Sequence, residues 1–188
     1  DDTLVLVGPG PFDTGGLYAF DQRVTIRPDD PATPPVIDAN FLVTGGELVV
    51  EDVRLQGTFA APISLTGGGL RVRNVEFVGA PTFAPGGLSI GGGDASVIGG
   101  IFRDLAPGVG GGVGAVEVSN GTLVLDGVRF EGNNSVSGGE GGALQVTGGS
   151  VVVTDSWFEG NAGGRGGAIG HVAGTLAITG TRFCSNTA

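Results

Sequence analysis

The sequence has no Lys and no Met, and only one Cys, one His, one Trp and one Tyr among 188 residues. Each scarcity removes a class of protein. All nine basic residues are Arg, they are scattered, and 19 acidic residues bring the net charge to −10. Nucleic acid is therefore excluded as a partner, because phosphate recognition draws on clustered Lys and Arg. Cys184 stands alone, so no disulfide can close within the chain, and no CxxC or Cys/His cluster offers a metal site. No apolar run approaches the roughly 18 residues that a membrane-spanning helix needs. Charged residues make up only 15% against 40% apolar, a balance unlike that of a disordered polar chain. The chain opens Asp1-Asp2 without Met, so the expected form is either a mature product of export or a piece of a longer protein.

What the sequence has is glycine, 40 residues of it, with no strict three-residue period and hence no collagen. The organising signal is a repeat. Segments 48–55, 70–77, 95–102, 123–130, 151–158 and 176–183 share one template: apolar, x, apolar, x, x, small or apolar, x, Leu or Phe. Their last residues, Leu55, Phe77, Phe102, Phe130, Phe158 and Phe183, are 22, 25, 28, 28 and 25 residues apart. A shorter alternating segment ends five positions before each template: Phe41-x-Val43, Ile63-x-Leu65, Leu88-x-Ile90, Val116-x-Val118, Leu144-x-Val146 and Ile169-x-His171. Alternation of this kind, in short bursts with glycine punctuation, predicts strands. Each template breaks its alternation once, at Asp52, Asn74, Gly99, Gly127, Asp155 or Gly180. These are residue types that tolerate a positive φ, so a bend is expected there.

Three short strands per coil, stacked parallel on the next coil, give an all-β chain: a single parallel β-helix over 1–188 with about seven coils. A coil cannot bury its inward face alone, and its neighbours bury it mutually. Residues 1–40 carry six of the ten prolines and fit the template poorly, which predicts an irregular N-terminal coil and cap. Residues 41–188 form the regular coils, with an uncapped C-terminal end. The glycine-rich stretches 108–114 and 138–142 contain neither a P-loop Lys nor a dinucleotide fingerprint, and read as turns with no cofactor implied.

The last three coils carry a further pattern. Phe130-Glu131-Gly132-Asn133, Phe158-Glu159-Gly160-Asn161 and Phe183-Cys184-Ser185-Asn186 are FxxN, while Gly141-Gly142-Ala143-Leu144 and Gly166-Gly167-Ala168-Ile169 are GGA followed by Leu or Ile. This pairing resembles the repeats of chlamydial polymorphic outer-membrane proteins, and the chain as a whole resembles the right-handed, pectate-lyase-like β-helix superfamily. The resemblance implies a right-handed coil, a bacterial exported protein at the cell surface or outside the cell, and a structural or adhesive role. Recurring Asn at one position predicts an amide ladder along the stack.

Candidate functional residues follow from the columns. Glu131 and Glu159 occupy equivalent outward positions about 5 Å apart, a spacing that suits a retaining glycosidase pair. Arg103 precedes them in that column and Cys184 follows. Arg129, Trp157 and Arg182 share another outward column, able to make cation–π contacts or to stack on a sugar ring. Val49, Val124, Val152 and Ala177 are apolar at outward positions and form a candidate lateral interface. His171 takes an inward position near the open end and is expected to be partly buried there, hydrogen-bonded or facing a partner chain. The expected function is a secreted, non-enzymatic solenoid that self-associates end to end or laterally and meets surface glycans. A polysaccharide lyase or hydrolase using Glu131 and Glu159, or a carbohydrate-binding module using Trp157, stands as the alternative.

Overall fold

A computed structural model describes residues 2–56, 61–79, 86–106, 114–135 and 141–188, with the backbone alone for 13–17 and 20. Of the two glycine-rich stretches read as turns, 108–113 and 138–140 lie outside the described residues. The described chain is all strand and turn, wound into a parallel β-solenoid of about six turns. Three columns of strands run along it. The first contains Ile63–Leu65, Leu88–Ile90, Val116–Val118, Leu144–Val146 and Ile169–His171. The second, of five-residue strands, runs from Glu47–Glu51 through Gly69–Arg73, Asp94–Ile98, Thr122–Asp126 and Ser150–Thr154 to Thr175–Thr179. The third holds Arg54–Gln56, Glu76–Val78, Ile101–Arg103, Arg129–Glu131, Trp157–Glu159 and Arg182–Cys184.

The coil count is about six rather than seven because the N-terminal winding is not a separate three-strand coil. It uses β1 (Asp2–Leu6), β2 (Phe12–Phe20), β3 (Arg23–Pro28) and β4 (Val36–Val43). The eight-residue β4 runs through a corner: Val36 to Asp38 start the third column against Arg54 to Gln56, and Phe41 to Val43 continue the first against Ile63 to Leu65. Its partner β2 follows it with a register shift between Asp13 and Leu17.

Within the regular coils the register is one-to-one, so each inward residue stacks on its equivalent. Phe77, Phe102, Phe130 and Phe158 are wholly buried in one file that ends at Phe183. Successive rings lie 4.3–5.0 Å apart and within 3–11° of parallel. The strand spacing, not the usual preference for tilted ring pairs, sets that geometry. Burying each ring contributes about 2 kcal/mol. All six break positions have a positive φ, from 47° at Asp155 to 64° at Gly99.

Beside the Phe file runs an amide ladder. Asn133 Nδ2 donates to Asn161 Oδ1 at 2.9 Å, and Asn161 Nδ2 donates to Asn186 Oδ1 at 2.9 Å. Each amide also donates to the carbonyl of the Phe one coil back: Phe102, Phe130 and Phe158 in turn. The backbone N–H groups of Asn133 and Asn161 donate to the next Oδ1. Asn133 and Asn161 are fully buried, and their burial is tolerated because these bonds satisfy them. The ladder stops where Leu105 replaces Asn, and Leu105 N–H donates to Asn133 Oδ1.

The sharpest constraint is a glycine column. Gly46, Gly68, Gly93, Gly121, Gly149 and Gly174 all have φ between 60° and 86°. A Cβ on each of the last five would lie 2.5 Å from the carbonyl oxygen of the glycine one coil before. Gly121→Ala is therefore expected to cost about 3 kcal/mol in urea unfolding, from left-handed strain plus backbone overlap. Gly127→Asn, where a Cβ meets nothing within 4 Å, should cost no more than about 1 kcal/mol. Asn161→Ala leaves buried ladder partners unpaired and should cost about 3 kcal/mol in the same assay.

Candidate functional site

Columns of outward residues carry the chemistry. The paired registers place Arg103, Glu131, Glu159 and Cys184 in one column and Arg54, Glu76, Ile101, Arg129, Trp157 and Arg182 in the next. Glu131 and Glu159 are thus register neighbours. Glu131 is held by its own coil, with Arg129 Nη2 at 2.5 Å from Glu131 Oε1, while Glu159 is exposed. Arg103 does not reach this pair: it binds Glu76 and Asp104 instead. Cys184 is free and exposed, its sulfur 3.5 Å from Ser185 Oγ.

The Trp157 column brings together what the sequence placed together. Arg182 Cζ lies 5.4 Å from the centre of the indole. A cleft of about 290 Å³ opens beside it, lined by Arg129, Asp155, Ser156, Trp157 and Arg182, with Gly127 and Gly180 at its rim. Asp155 is expected from the sequence as a bend residue, and the stacking of the coils brings it and Ser156 to this cleft. The indole Nε1 of Trp157 is shut off from solvent and donates to nothing, the one such buried side-chain polar atom among the described residues. A buried donor left unpaired costs about 1–3 kcal/mol.

The other expected residues are dispersed. Val124 and Val152 are exposed on the second column, with Ala177 next to Val152 in register. Val49 departs from the expectation: only 8% is exposed, for it sits in register between Thr25 and Arg71. His171 follows Val146 in the first column but is exposed, not partly buried. Among the described residues no strand lies beyond it, whereas Val146 has a coil on both sides. Its Nε2 lies 3.3 Å from the Gly174 carbonyl.

Two acidic hubs were missed. Glu76 is gripped by Arg54 Nε at 2.5 Å and by Arg103 Nε, bridging three coils. Glu47 does the same between Arg23 at 2.9 Å and Arg71 at 2.5 Å. The signal lay in the columns, where Arg54 precedes Glu76 and Arg23 precedes Glu47, once charges are stacked as the apolar residues were. Among the described residues no group of three His, Cys, Asp or Glu side chains could hold a metal ion, and no helix is long and apolar enough to cross a membrane. No protein-family model, curated protein or solved structure matches the chain.

Partial burial alone pushes the Glu76 carboxyl up, but hydrogen bonds and charge from Arg103 and Arg54 outweigh it and hold it below the usual carboxylate range. A carboxyl depressed in the folded state adds stability that is complete above its unfolded value and fades as pH falls through the folded one. Stability should therefore drop as pH is lowered from about 5. Glu76→Gln should cost about 1 kcal/mol at neutral pH, since the arginines are partly exposed, and should flatten that acid slope. Urea midpoints measured across the acid range test both.

Proposed function

We propose that this protein is a non-enzymatic β-solenoid of the cell surface or extracellular space, structural or adhesive in role, whose copies join end to end. The observation that carries this reading is the distribution of exposed apolar residues. Leu4, Val5, Val7 and Tyr18 are exposed at one end, and Val172, Ile178 and Phe183 at the other, against Ile98, Val124 and Val152 on the sides. At the N-terminal end an apolar cavity of about 580 Å³ lies among Leu4, Val7, Phe12, Tyr18 and Phe41. At the opposite end Thr175–Thr179 and Arg182–Cys184 have no neighbouring strand on their outer side among the described residues. Unpaired parallel edges of this kind accept further strands.

The columns run straight through the molecule, so each end presents the same columns as the other. Extending the register head to tail sets Ile178 against Leu4, Phe183 against Phe12 and Ile169 against Tyr18 of the next copy. Asp2, which falls opposite Leu176, is the exception. A head-to-tail contact of this kind does not close on itself and yields a filament. The resemblance to FxxN and GGA repeat proteins supports the surface assignment, and the Asn133–Asn161–Asn186 ladder gives that motif a structural purpose. The attachment of Glu131 to Arg129 favours this reading over a glycosidase pair, because it ties the would-be acid to a neighbouring cation.

Light scattering on the 188-residue chain over a wide concentration range, with electron microscopy, tests the proposal. Growing linear assemblies are expected, together with their loss in Phe183→Asp. A strict monomer at every concentration sinks it.

A further inference from the structure

The cleft beside Trp157 holds polar capacity that the fold does not use. Arg182 forms no ion pair among the described residues and lies over the indole at 5.4 Å. Asp155 is held at a positive φ in the bend, its N–H donating to the Thr179 carbonyl, and its carboxylate has no hydrogen bond or ion pair with any described residue. The Trp157 Nε1–H has no acceptor. Elsewhere on the same column charge is cancelled, as Glu76 is by Arg54 of its own column and Arg103 of the next. At the cleft a guanidinium engaged only by an aromatic face lies beside a carboxylate that has no partner. Such convergence in a concavity marks a ligand site.

From this geometry we infer that the cleft binds an acidic saccharide, a sugar ring bearing a carboxylate or a sulfate ester. Each group then has a task. The apolar C–H face of the ring stacks on the indole. Arg182, exposed and so free to swing, donates to the anionic group in the forked geometry that guanidinium offers carboxylates and sulfate-like oxyanions. Asp155 accepts from ring hydroxyls. The volume of about 290 Å³ suits one ring and not a long chain.

A peptide fits less well. Strands Arg129–Glu131 and Trp157–Glu159 are paired on both sides, so the cleft has no open backbone edge for strand addition. Recognition there rests on side chains alone, as it does for a sugar.

Trp157 is the only Trp in the chain, so its fluorescence and its single indole N–H resonance report on this cleft and nothing else. Titration with glucuronic-acid-containing and sulfated oligosaccharides should shift that resonance, whereas neutral glucose oligomers should not. Arg182→Gln and Asp155→Asn should each weaken binding by about tenfold while leaving the urea midpoint in place. Because Arg182 lies at the C-terminal coil, the titration is run alongside light scattering, so that a change in assembly is told apart from a change in binding. An indole resonance unmoved by acidic saccharides overturns the inference. So does an acidic peptide, poly-glutamate, that moves it as far, and so does binding that survives Arg182→Gln undiminished.

Discussion

Every coil must fit the coil before it and the coil after it at one strand spacing. This single demand accounts for most of the residue choices. Inward positions become files, because a side chain at the strand spacing touches its own equivalents before it touches anything else. Four phenylalanines in near-parallel contact, and a fifth at the end, show the demand in apolar form. The Asn133–Asn161–Asn186 ladder shows it in polar form: an amide has as many donors as acceptors, so it can bond to copies of itself without limit. The glycine column shows it in steric form, for with carbonyl oxygens 2.5 Å from each would-be Cβ, no other residue can stand there.

The same demand explains why so much of the fold was legible in the sequence. Strand columns, the bend positions and the Phe file could be read because a periodic structure writes itself as a periodic sequence. The glycine column was equally periodic, two residues ahead of every template, yet it went unread because attention followed apolar side chains and glycine has none. The Arg–Glu–Arg clamps on Glu47 and Glu76 were overlooked for a related reason. They join residues 22 to 27 apart in the chain, and a search along the chain for charge pairs never meets them. What the sequence could not give was the effect of position within the stack. His171 and Val146 occupy equivalent sites, yet His171 is exposed on the last described strand of its column while Val146 has strands on both sides. Val49 and Val124 are equivalent as well, yet Val49 is covered and Val124 is not. The seventh coil was lost where β4 runs on through a corner, a feature without any period.

Periodicity also separates structure from function. Inward columns and bends are bound by their neighbours and have little freedom to vary. Outward columns are bound only at the surface, where side chains reach across coils if a partner is in range. In the column of Arg54, Glu76, Ile101, Arg129, Trp157 and Arg182, the N-terminal half settles its charges with the help of Arg103 from the next column. Arg54 and Arg103 converge on one carboxylate, and each member gains because the next coil holds the other in place.

Toward the C-terminal coils the arrangement changes. Arg129 turns to Glu131 within its own strand, Trp157 stands where an acid would have closed the bridge, and Arg182 is left with an aromatic face in place of an anion. Position 157 has arginines on both sides in register, where Glu76 has Arg54 on one side and Ile101 on the other. The indole instead contributes area, a quadrupole that attracts guanidinium, and one N–H donor that the fold does not satisfy. For stability alone Trp157 is a poor choice, since it leaves a donor buried without an acceptor. A residue that breaks a periodic rule at a cost, beside a concavity and two unused charges, is better explained by a ligand from outside the fold than by the packing of the fold itself.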